Sequence, residues 1–246
     1  MVPRVPGRPV AFSAGRAVEP LAFARPALPY QCVETPAQRA RRGKSDGFDT
    51  GEGCKARQQI LDPCQKLIQT LGLARVPPKE IAKASGLSEG ALYRHFEHKE
   101  DVFLAVFEKQ VVWLAGFLSA KVAGEGDVAE NLRQIAFNIL NYYEQLIPLT
   151  AAFFADNELL EKFRGLLLQI GGPQRLHEWV AAYITEEQAL GRIAATLPAM
   201  SIATSLLGPV FQYAFLRQLT TEDQFGLADS LFVEKEVEIL LNGILP

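Results

Sequence analysis

The chain has 246 residues, 48% of them hydrophobic, with 25 basic and 28 acidic side chains and a formal charge of −3. That length and apolar content support a sizeable core in one or two domains and exclude a wholly disordered chain. Three cysteines, Cys32, Cys54 and Cys64, are an odd number without metal-ligand spacing, which argues against a disulfide framework or a cysteine metal site.

Residues 1–54 come first and hold seven of the fifteen prolines, with no apolar periodicity. They read as a disordered Pro/Arg-rich extension. Arg39, Arg41, Arg42 and Lys44 cluster just before the Gly-rich run 47–53, and the rival reading is a basic arm for an adjacent minor groove. Pro and Arg interrupt every apolar run of residues 1–30, so no secretory signal is read there. No stretch reads as long and charge-free enough to span a bilayer, and the cytoplasm is the expected location.

Charge is unevenly spread. Residues 1–55 carry a net +4, residues 56–101 a net +1 and residues 102–246 a net −8. An acidic body repels DNA, so any DNA contact belongs on the N-terminal side.

The first helix begins near Arg57, where Ile60, Leu61, Cys64, Leu67, Ile68 and Leu71 form a stripe of helical period, and Gly72 ends it. Pro63 interrupts that stripe. Either the helix kinks there, or it starts at Asp62 as N-cap with Pro63 in the first turn and Gln65 closing a capping box. A second helix opens at Pro77-Pro78 and closes its apolar face with Ile81 and Ala82. Gly86 marks a reversal, and Ser88 is placed to cap a third helix. Leu87 and Leu92 have the spacing of a hydrophobic staple, and Leu92 and Phe96 point inward together. That leaves Ser88, Glu89, Gly90, Ala91, Tyr93 and Arg94 outward, a short helix whose exposed side suits the DNA major groove.

The run Ile81-Ala82…Ser85-Gly86-Leu87-Ser88-x-Gly90-x-Leu92-Tyr93-x-His95-Phe96-x-x-Lys99 resembles the DNA-binding domain of the TetR family of bacterial transcriptional regulators, over residues 57–107. The resemblance implies a dimeric, all-helical regulator, usually a repressor, released from DNA by a small ligand. Carried over by position, it assigns DNA contacts to Lys79, Ser88, Glu89, Gly90, Ala91, Tyr93, Arg94, His98 and Lys99. Three positions depart from the family pattern. Pro77-Pro78 replaces the hydroxyl that opens the second helix, Ala91 replaces a frequent Thr, and His98 replaces a small polar cap before the fourth helix. A methyl at 91 can touch a thymine methyl but donates no hydrogen bond.

Beyond the head, residues 99–122 read as a long helix with a wide apolar face. Gly124-Glu-Gly126 breaks it, and Asp127 caps a helix expected to end at Ile147 before Pro148. Residues 149–170 read as the next helix, ending at Gly171-Gly172-Pro173. Another runs to about Gly191, one from Pro198 to about Leu219 with a kink at Gly208-Pro209, and a last one over 226–244. The chain is thus read as all-α: an extension 1–54, a helix-turn-helix head 55–101, and a helical ligand-binding and dimerisation body 102–246.

Aromatics and polar groups on apolar helices make Trp113, Phe117, Phe137, Asn141, Phe153, His177 and Phe211 candidates for a pocket that takes a small apolar or amphipathic ligand. Core packing is the competing reading for each aromatic. The last two helices carry more apolar surface than one core consumes. Ile202, Leu206, Leu227, Leu231, Leu241 and Ile244 are therefore candidates for a two-fold interface with a second copy. His95 and His98, three apart, lack further ligands for a metal, and no nucleophile elbow or phosphate loop occurs. Neither a metal, a cofactor nor an enzymatic activity is expected. The reading is a DNA-binding regulator of a palindromic operator; the alternative is a helical interaction or small-molecule-binding protein that no longer binds DNA.

Overall fold

In the computed structural model, residues 52–220 and 226–244 are described. The expectations for the extension, including Cys32, the Arg39–Lys44 cluster and most of the Gly-rich run, and for the side chain of Cys54, lie outside the described residues. Among those described, the chain is all-helical. It runs α1 (Glu52–Leu71), a 3-10 turn (Leu73–Arg75), α2 (Pro78–Ala84), α3 (Glu89–His95), α4 (Lys99–Ser119), α5 (Val128–Phe154), α6 (Asn157–Gln169), α7 (Arg175–Ala189), α8 (Ala199–Leu219) and α9 (Asp229–Ile244).

α1 resolves the ambiguity at Pro63 in favour of one long helix that carries the proline inside it. α5 likewise passes through Pro148 and continues to Phe154, seven residues beyond the expected end. The break falls instead at Ala155-Asp156. The Asp156 carboxylate accepts from the N–H groups of Glu158 (2.9 Å) and Leu159 (3.0 Å) and so starts α6. α8 also runs continuously through Pro209.

Two apolar clusters organise the subunit. The first joins α1, α2 and α3 to the first half of α4, and includes Ile60, Cys64, Ile81, Leu92, Phe96, Phe103 and Phe107. It also takes in Leu149 and Phe153 from the end of α5 and Leu159 and Phe163 from α6. Phe163 meets Phe107 edge-on at 4.9 Å and Phe153 at 4.7 Å. The head core therefore reaches past residue 101 and borrows the far end of α5. The second cluster is the body core of α4, α5, α7, α8 and α9, with Leu132, Ile139, Val180, Ile184, Leu206 and Val210 at its centre. Tyr213 and Phe232 stack at 3.9 Å and attach α9 to α8, while Arg217 pairs with Glu144 of α5 (2.9 Å) and with Asp229 of α9.

Among the described residues, only Val111 and Leu146 pack, half-buried, against both clusters. Beside them runs a chain of amides. Gln110 donates to Gln65 (2.8 Å) and Gln65 donates to Gln145 (2.6 Å), linking α4, α1 and α5. At the far end of the body, buried Glu187 accepts from the Tyr183 hydroxyl (2.8 Å) and the Gly124 N–H (3.3 Å) and pairs with Arg192 (3.2 Å).

α4 and α8 are, by length and composition, apolar enough to cross a membrane, which corrects the sequence expectation. Here α4 contributes buried side chains to both cores and α8 to the body core, with part of the apolar surface of α8 left exposed.

Candidate nucleic-acid interface

The turn between α2 and α3 is built from backbone bonds that the sequence permits only with glycine in the middle. The Leu87 N–H reaches the Ala82 carbonyl (2.8 Å), and the Gly86 N–H reaches that of Lys83 (3.1 Å). This double closure needs a left-handed residue, and Gly86 has φ 69°. One residue on, the Ser88 hydroxyl accepts from the Ala91 N–H (3.2 Å) and starts α3. Leu87 packs half-buried on the head core, and Leu92 and Phe96 are buried within it. α3 is thus held at both ends and on its inner side.

Ala91 is a correction to the outward set: it is 7% exposed and lies on the inner side of α3 beside Leu92. The outer arc then runs, round the helix, Glu89, Tyr93, Gly90, Arg94. All four are exposed, as are Ser88, Lys79 and His98. Lys99 is half-exposed and lies 3.8 Å from Glu100. The His98 N–H donates to the Asp101 carboxylate (2.9 Å), so an acid in the first turn of α4 secures the entry that the family's small polar cap would serve. Pro77 caps α2 without a side-chain bond.

One head residue escaped sequence reasoning. Arg57, on α1, lies with its guanidinium 4.9 Å from the centroid of the Phe96 ring. Burial pushes its pKa below the ordinary arginine value. His95, at the end of α3, is pushed below the usual histidine value by burial, then by Arg57 and Arg94, which favours the neutral ring. Cys64 is fully buried, and burial pushes its thiol up to about 12, which makes it a packing residue. Among the described residues no cluster of three or more His, Cys, Asp or Glu is placed to hold a metal.

The pocket candidates are not gathered in one place. Phe153 is buried in the head core, while Phe117 packs partly buried on the body core and stacks on exposed Trp113 at 6.3 Å. Phe137 and Phe211 are exposed, and Asn141 and His177 are half-buried. The buried Nδ1 of His177 and Nε1 of Trp179 have no hydrogen-bond partner among the described residues.

The interface candidates also divide. Ile202, Leu206 and Leu241 are buried in their own subunit's core and are not available to a second copy. Leu227 is half-buried, Leu231 is exposed, and the side chain of Ile244 lies outside the described residues. The exposed apolar stripe of α8 is instead Met200, Thr204, Gly208, Phe211, Phe215 and Leu219, continued on α9 by Leu231 and Ile239. Its 4-4-3-4-4 spacing was legible in the sequence, but so was that of the buried stripe beside it.

Residues 60–106 match the family described as bacterial regulatory proteins, tetR family. The nucleoid occlusion factor SlmA of Actinobacillus pleuropneumoniae is 31% identical over 109 residues, which cover 42% of this chain and 54% of that protein. The chain thus spans about half the length of that curated relative. The HTH-type transcriptional regulator EthR of Mycolicibacterium smegmatis is 27% identical over 214 residues, 84% of this chain and 93% of that one. The crystal structure of a TetR-family transcriptional regulator from Cytophaga hutchinsonii superposes with a TM-score of 0.59 at 18% identity, over 80% of this chain and 98% of that one.

Proposed function

We propose that the chain, whose residues 60–106 match the tetR family of bacterial regulatory proteins, is a ligand-responsive transcriptional regulator, a repressor that binds a palindromic operator as a homodimer. The observation that carries this reading is the exposed arc Glu89, Tyr93, Gly90, Arg94 on a helix clamped from behind by Leu92 and Phe96. A short helix fixed on one side and free on the other can enter a major groove without cost to the fold. In this reading the exposed Tyr93, His98 and Lys79 and the half-exposed Lys99 hold phosphates, and Ala91 supports the helix from within.

Two heads are needed to read two half-sites, and the apolar stripe Met200–Leu219 of α8, with Leu231 and Ile239 of α9, is the face for the second copy. Paired through a self-complementary face of this kind, the two α3 helices would lie on one side of the duplex. An apolar or amphipathic effector held between body helices would change the spacing of the heads, and it would lower operator affinity only by its differential affinity for the two spacings. The reading is of a cytoplasmic regulator and not of an enzyme.

The test is a gel shift with the full chain against DNA flanking its own gene. Retarded DNA that survives non-specific competitor supports the reading. Loss of the shift at every concentration would favour the helical interaction protein that no longer binds DNA.

A further inference from the structure

Two neighbouring residues on α3 make no packing or paired side-chain contact within the subunit among the described residues. Gly90 is helical, has no positive φ, and a Cβ added there would meet nothing within 4 Å. The fold therefore does not require glycine at this place in the first turn of α3, where alanine forms helix more readily. A bare backbone on the outer arc serves close approach by something outside the molecule. Beside it, Glu89 is exposed, and its carboxylate has no ion pair or hydrogen bond among the described residues. An acid is unwelcome near phosphates, so on a DNA-facing helix it needs a donor to face.

We propose that Glu89 is a base-reading residue that selects cytosine at one position of each half-site, with Gly90 letting the start of α3 seat deeply enough for it to reach. This rests on the DNA-binding reading above. The choice of base follows from chemistry. An ionised carboxylate only accepts hydrogen bonds. In the major groove guanine shows two acceptors, thymine an acceptor and a methyl, and adenine a donor beside the N7 acceptor. Cytosine alone offers its N4 amino donor without an adjacent acceptor on the same base. Glu89 and Gly90 occupy the first turn of α3, the end of a recognition helix that reaches base edges.

The competing explanation is that Glu89 serves only the positive end of the α3 dipole. Selection from a randomised duplex pool separates the two, using the full chain as wild type, Glu89→Gln and Glu89→Ala, with thermal melts as a control on folding. The wild type is expected to enrich a C·G pair at one position per half-site. Glu89→Gln should move that single position to adenine, whose N6 and N7 a glutamine amide matches, and leave the rest of the motif intact. Glu89→Ala should flatten preference there by about 5- to 150-fold. Gly90→Ala should melt no lower than wild type yet bind the selected site more weakly. An unchanged motif in Glu89→Gln, or uniformly tighter binding of all sequences by Glu89→Ala, would overturn the assignment while leaving DNA binding in place. A wild-type pool with no enriched sequence would sink both.

Discussion

The guanidinium of Arg57 lies over the ring of Phe96, 4.9 Å from its centroid, and so ties α1 to the end of the helix that faces outward. The same arginine, with Arg94, reinforces the effect of burial on His95 and favours its neutral ring. The unfolded chain therefore takes up the proton first as pH falls past about 6.5. The stability that His95 contributes is complete above that pH and declines as pH falls toward the folded-state value. Wild type should lose thermal stability relative to His95→Gln between about pH 7.5 and 5.5. Glu108, raised chiefly by burial, works in the opposite sense from 4.5 upward and is common to both proteins. Parallel curves for the two would show that His95 does not titrate as argued. Arg57→Ala should also move the His95 ring resonances, followed by NMR, back toward an ordinary titration.

Phe96 is 4% exposed and closes the head core under α3. Phe96→Ala should cost about 3–5 kcal/mol. Because Val111 and Leu146 are the shared packing between head and body, the loss should appear as earlier exchange of head amides while body amides keep their protection. Uniform weakening of all helices would mean that the two cores unfold as one.

At the edge of the proposed interface, Lys99 is half-exposed and only loosely paired with Glu100. Lys99→Ala should weaken binding to all duplex sequences alike and reduce the salt slope by about one unit per subunit. An unaltered slope would remove Lys99 from the set of phosphate contacts.

Assembly should depend on residues that the sequence did not single out. Phe215 stacks on Phe211 at 6.0 Å on the exposed stripe of α8. Phe215→Arg should give folded monomers with little operator affinity, since one substitution enters a two-fold interface twice. Leu241→Arg, at a core position, should instead lower the melting temperature. Sedimentation and melting together decide: a dimeric Phe215→Arg protein would place the second copy elsewhere.

Glu187 is fully buried and held by Tyr183, the Gly124 N–H and Arg192, whose Nη2 also reaches the Gly126 carbonyl (2.7 Å). Removing the Glu187 carboxylate leaves the Tyr183 hydroxyl and the Gly124 N–H without their acceptor, at about 1–3 kcal/mol each, while the partly exposed Arg192 keeps access to solvent. Glu187→Ala should therefore destabilise the body by that order and free the loop between α4 and α5. Denaturant unfolding would expose an unchanged midpoint if the pair were energetically idle.

The head was legible because its signals are local. Gly86, Ser88 and the Leu87/Leu92 pair lie within seven residues, and each specifies a backbone bond or a buried contact that needs no distant partner. The body was less so. A Pro normally ends a helix, yet α5 continues past Pro148, because Leu149 and Phe153 have the head core to enter. Phe153 thereby left the pocket candidates for the head. α8 is apolar on most sides, so its pattern could not show that Ile202 and Leu206 turn inward and Phe211 and Phe215 outward. Ala91 misled for a related reason: a small residue leaves no mark of which side it faces.

The shared ownership of α5 bears on how such a chain can be recombined. A head transplanted as residues 57–107 would carry Phe103 and Phe107 to a new scaffold without Phe153 and Phe163, which complete their packing. The exchangeable unit is therefore discontinuous in sequence. A working hybrid regulator would have to bring the last turns of α5 and the whole of α6 along with the helices that precede them.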